Sequence, residues 1–116
     1  MTGNTREQGR LHYIRDSILK IEEYTRGDRS TFDRQPMVQD AVLRRLETLA
    51  DATDKLSDAL KARHPEIPWR QVYGFRNIAA HAYEELDLRR AWEIVEKYLP
   101  ALKAVVNSEL GASDSS

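Results

Sequence analysis

Arg76-Asn77-Ile78-Ala79-Ala80-His81-Ala82-Tyr83 sets a guanidinium, a carboxamide, an imidazole and a phenol within eight residues. Arginine is cationic at every working pH and its planar fork matches phosphate, whereas histidine exchanges protons near neutrality. Such a set can grip an RNA phosphate and move a proton beside it, the chemistry of phosphodiester cleavage. Arg76 and His81 are the candidate catalytic residues, with Asn77 in support.

Helical geometry limits how these groups combine. At about 100° per residue, Asn77 and His81 share a face, with Glu84 close by, and Arg76 and Tyr83 lie along a neighbouring line. Arg76 and His81 fall roughly 140° apart, so a straight helix cannot aim them alike. They border one groove if the long arginine reaches round, or if the helix frays near His81. Ala79, Ala80 and Ala82 would let a substrate or another helix approach closely. One imidazole serves as base or as acid, and strand cleavage needs both, so a two-fold dimer that pools two copies of the segment is expected. The competing reading of the same residues is a solvated helix face, and for Tyr83 a core-edge side chain with its hydroxyl at the surface. His12 and His64 lack supporting neighbours in sequence and read as structural; no His, Asp and Glu spacing suggests a metal site.

Four helical patterns must position this segment. Leu11, Ile14, Ile18, Ile21 and Thr25 step along one face, with Gly27 as the expected stop. Ser30 to Gln35 reads as a polar connection in which Ser30 and Asp33 resemble a capping box. Val38, Val42, Leu46, Leu49, Thr53, Leu56 and Leu60 form one long stripe that must end near His64, before Pro65. Pro68 suits the first turn of a third helix that buries Val72, Phe75, Ala79, Ala82 and Leu86. Asp87 is the expected N-cap of a fourth, with Leu88, Trp92, Val95, Leu99, Leu102 and Val106 inward and a kink at Pro100. The expected fold is all-α, an antiparallel bundle of four to five helices. Residues 1–6 read as a flexible N-terminus, 7–110 as the helical domain and 111–116 as a disordered tail.

The 116 residues suffice for one core without staples, and 41% apolar with 32% charged is ordinary for a globular domain. The absence of cysteine excludes disulfides and thiolate metal sites and fits a reducing compartment. The first ten residues lack the apolar run of a signal peptide, and no stretch is apolar enough to span a bilayer, so a cytoplasmic location is expected. A net charge of −1 argues against a broad nucleic-acid-binding surface. It leaves room for a small cleft served by Arg70, Arg76 and the pairs Arg44-Arg45 and Arg89-Arg90.

From about Leu11 to Leu102 the chain resembles the HEPN-domain proteins, specifically the HepT-like toxins. The resemblance rests on Arg76, Asn77, His81 and Tyr83 in the pattern Arg-Asn-x-x-x-His-x-Tyr. It extends to the flanks His64-Pro65-Glu66-Ile67-Pro68-Trp69, Gly74-Phe75 and Leu99-Pro100, and to Asp40 through Glu47. It implies a dimerising HEPN-like bundle, as a homodimer or higher assembly, with metal-independent endoribonuclease activity on RNA and no cofactor. It implies a minimal nucleotidyltransferase as antitoxin, which adenylylates the tyrosine matched by Tyr83. Members often carry Leu where Ala79 stands, Gly where Ala82 stands, and Gly-Glu-Ala where this chain has Ala50-Asp51-Ala52. Asp51 is thereby implied as a supporting residue. The alternative from a different class is a non-catalytic helical subunit that only docks a nucleotidyltransferase.

Overall fold

A computed structural model describes residues 5–81 and 85–114, with backbone alone at 85–87 and 112–114. Among the described residues seven helices follow in order: α1 (Thr5–Thr25), α2 (Arg29–Arg34), α3 (Pro36–Asp54), α4 (Asp58–Arg63), α5 (Trp69–Ala80), α6 (Glu85–Lys97) and α7 (Leu99–Asp114). Five are long, and α2 and α4, six residues each, close the joints between them. The fold is all-α, and among the described residues there is no strand.

The stripes read from sequence largely face inward in α1 and α3, while Ala82 and the Leu86 side chain of the third expected stripe lie outside the described residues. Ile14, Ile18 and Ile21 of α1 and Val42, Leu46 and Leu49 of α3 are essentially sealed from solvent. Each such side chain contributes about 1.5–3 kcal/mol by leaving water, which opposes the entropy of ordering the chain. α3 is the central element, packed against both α1 and α5, while α7 lies on α1 and α6 bridges α5 and α7. The neighbours run antiparallel. Arg10 near the start of α1 donates to the Lys55 carbonyl just past α3 at 2.9 Å. Glu22 near the end of α1 meets Lys103 near the start of α7 at 3.0 Å.

Local chemistry sets the boundaries, and several differ from the sequence expectation. α1 stops at Thr25 because Arg26 and Gly27 both take left-handed φ, 54° and 66°; glycine carries that cost easily. The polar connection expected at Ser30–Gln35 is largely the helix α2. Its cap is Asp28, not Ser30: the Asp28 carboxylate accepts the Ser30 N–H at 3.1 Å. Phe32 anchors it, buried against Trp92 with ring centroids 5.5 Å apart.

The long stripe from Val38 to Leu60 spans two helices rather than one. Ser57 caps α4 by accepting the Leu60 N–H at 3.1 Å, while Glu7 of α1 accepts the Ser57 N–H at 2.6 Å. These caps reward a break that apolar periodicity does not register. α6 begins at Glu85, two residues before the expected cap at Asp87. Pro100 marks a boundary rather than a kink, lying in the first turn of α7, where its missing N–H costs nothing. α7 runs to Asp114, so helix replaces most of the tail expected to be disordered at 111–116; Ser115 and Ser116 lie outside the described residues. Thr5 and Arg6, assigned to a flexible N-terminus, already belong to α1.

Candidate active site

α5 carries the candidate residues, and its roll about its own axis is fixed at both ends. The Trp69 indole N–H donates to the carbonyls of Lys61 and His64 at 3.1 and 3.0 Å, tying the helix start to α4. Val72 and Phe75 are buried, and the Phe75 ring meets Tyr98 edge-on, centroids 5.4 Å apart. With those positions inward, the helical repeat turns Tyr73, Arg76 and Asn77 to the surface, and all three are exposed.

Arg76 meets Asp51 of α3, its Nε 3.4 Å from Oδ1. Their side chains are 51% and 43% exposed, so solvent screens the pair. The contact therefore aims the guanidinium more than it holds the fold. A hydrogen bond to Tyr73, with the charge of Asp51 next in weight, raises the Arg76 pKa above its ordinary value. The group is a permanent cation pointing out from the seam between α3 and α5.

His81 sits where α5 ends, with φ −108° and ψ 14° outside the helical region. The Asn77 carbonyl accepts both the His81 backbone N–H at 3.2 Å and the ring Nδ1–H at 2.9 Å. Histidine often satisfies terminal helix carbonyls in this way. A carbonyl has no proton to offer, so the neutral ring must carry its hydrogen on Nδ1, leaving the Nε2 lone pair free on an exposed side chain. The exit from helix at His81 is the departure that two groups 140° apart on an ideal helix would require.

The structure thus brings together Arg76 with Asp51, and His81 with the backbone of Asn77. The contact orienting the imidazole comes from the Asn77 main chain rather than its amide. No hydrogen bond joins Arg76 to His81. Tyr83 lies outside the described residues. Sequence reasoning missed Tyr73, whose signal was its position three residues before Arg76 on the same face. His64, read as unsupported, is held by Glu109 at 2.6 Å. Among the described residues, no group of three or more His, Asp and Glu could hold a metal ion, and no helix is long and apolar enough to cross a membrane.

The family model described as ribonuclease HepT-like matches residues 14–109. "Probable ribonuclease HepT" of Thermococcus cleftensis is 37% identical over 94 residues, covering 80% of this chain and 86% of that protein. A "Putative RNase" of Methanocaldococcus jannaschii is 31% identical over 97 residues, 83% of this chain and 89% of its own. A "Gamma-glutamylcyclotransferase and putative RNase" from the same organism is 36% identical over 80% of this chain, which spans only 42% of that longer protein. No solved structure matches the chain.

Proposed function

The chain belongs to the HepT-like ribonuclease family, and on that premise we propose that it cleaves RNA by internal transfer, with His81 and Arg76 as the catalytic residues. The observation that carries the reading is the Nδ1–H bond of His81 to the Asn77 carbonyl at 2.9 Å, because in the neutral ring it leaves Nε2 as the acceptor on an exposed side chain. Nε2 takes the proton of a ribose 2′-hydroxyl, the 2′-oxygen attacks phosphorus, and the bond to the 5′-oxygen breaks. The departing oxygen takes a proton from the His81 of a second copy. Arg76, aimed by Asp51, stabilises the charge that builds on the phosphoryl oxygens, and the Asn77 amide hydrogen-bonds the phosphate. The products are a 2′,3′-cyclic phosphate and a 5′-hydroxyl. Base, acid and charge stabiliser are all side chains, so the step needs no metal.

In this reading the chain works as a homodimer in the cytoplasm and is the toxin of a toxin–antitoxin pair. A minimal nucleotidyltransferase silences it by adenylylating Tyr83, which adds bulk and negative charge seven residues from Arg76 and repels RNA phosphate. The net charge of −1 favours the second reading, a helical subunit that docks a nucleotidyltransferase without cutting RNA. Expression of the chain alone separates the two. Growth arrest that His81→Ala abolishes supports cleavage, and unimpaired growth with intact RNA supports docking.

A further inference from the structure

A trough runs along the seam between α1 and α3. It is built from two open cavities of about 370 and 380 Å³ that share Tyr13 and Thr48. Five cations line them: Arg6, Arg10 and Lys55 at one end, Arg44 and Arg45 at the other. The single lining carboxylate is Asp51, and it is the group that meets Arg76 at 3.4 Å. A chain with net charge −1 has therefore gathered five of its 18 lysines and arginines in one strip. Arg10 is held across the floor by its bond to the Lys55 carbonyl, and Arg44 also pairs with Glu47 at 3.1 Å. Tyr13 stands midway between the basic ends, 41% exposed although it is a large aromatic.

We infer that this trough is the track for single-stranded RNA flanking the scissile linkage, with a base stacked on Tyr13 and phosphates against the cations at either end. The inference rests on the ribonuclease reading and extends its site across α3. Cations flanking an aromatic are how proteins follow an unpaired strand, because the backbone supplies charge and every base has a π-face. Arg45 and Lys55 are separated by about 15 Å of helix rise, room for a strand to lie lengthwise. Asp51 borders the trough and touches Arg76, so a strand leaving the track meets the guanidinium without crossing another element.

The test uses the full chain carrying His81→Ala, so that RNA is bound but not cut, and the anisotropy of a fluorescein-labelled uridine 12-mer. Tyr13→Ala is expected to weaken binding about 5- to 100-fold and Tyr13→Phe to leave it intact. Arg45→Ala with Lys55→Ala is expected to flatten the plot of log affinity against log salt by about 1.4, two single-strand phosphate contacts. Lys97→Ala, a cation in the last turn of α6 and outside the lining of either cavity, should change neither. Equal affinity and slope in wild type and trough variants overturns the inference, as does a chain that binds no RNA. So does light scattering in which Tyr13→Ala converts a dimer to monomers, since the trough would then be an interface between copies. End-group analysis with His81 intact keeps the two proposals apart. Cutting with trough-independent binding sinks the track alone, and trough-dependent binding without a cyclic phosphate sinks the cleavage mechanism alone.

Discussion

Replacing Glu109 with glutamine tests how the far end of the bundle holds the start of α5. Glu109 of α7 accepts two bonds from the Arg63 guanidinium, at 2.9 and 3.2 Å, and one from His64 Nε2 at 2.6 Å. His64 in turn lends its carbonyl to the Trp69 indole, so the cluster fixes the turn from which α5 departs. Glu109 and His64 side chains are each 15% exposed, whereas Arg63 is 54% exposed. The half-exposed arginine is worth at most about 1 kcal/mol, and the shielded charge-assisted bond to His64 about 1.5 kcal/mol. Glutamine keeps the shape and one acceptor but loses the charge, so a loss of about 2 kcal/mol is expected at pH 7. Urea denaturation followed by circular dichroism reads this as a midpoint lowered by about 1–2 M. Arg63, and then His64, hold the Glu109 carboxyl below the ordinary glutamate range against the opposing effect of burial. A depressed folded value stabilises fully above the unfolded one and is lost as pH falls through the folded one. The gap between wild type and variant should therefore be constant above about pH 5 and close below pH 4.5. A midpoint unchanged at pH 7, or a gap that persists in strong acid, refutes the reasoning.

Other outcomes follow from the site itself. Asp51→Asn should leave the urea midpoint nearly unchanged, because the pair is half exposed, yet slow RNA cleavage about 5- to 50-fold by loosening Arg76. Arg76→Ala should cost about 100- to 1,000-fold in the same gel assay. Gly74→Ala should raise stability by about 0.5–1 kcal/mol in urea melts, since Gly74 lies within α5, has no positive φ, and an added Cβ meets nothing within 4 Å. Tyr83→Phe should remain toxic while gaining no nucleotide mass on co-expression with a nucleotidyltransferase, and a nucleotide adduct on that variant would move the modification elsewhere.

Inward faces were legible because burial imposes a period: Ile14, Ile18 and Ile21 announce one side of α1 without reference to the rest of the chain. The joints were less so. The break before α4 depends on Ser57 being met by Glu7, fifty residues earlier, and no window of sequence contains both. The same distance problem hid the Glu109–His64 clamp, 45 residues apart. Of the proposed site, Arg76 and His81 were proposed from type and spacing, and Asp51 only through the family resemblance. The tautomer of His81 was not readable, since it depends on the helix ending at Ala80 and the ring folding back onto the Asn77 carbonyl.

The most direct test is the chemistry of the RNA ends left by the purified chain in excess EDTA. The account predicts 2′,3′-cyclic phosphates and 5′-hydroxyls, produced by wild type and lost on His81→Ala. Ends bearing 3′-hydroxyls and 5′-phosphates, or cleavage by His81→Ala at the wild-type rate, would contradict it.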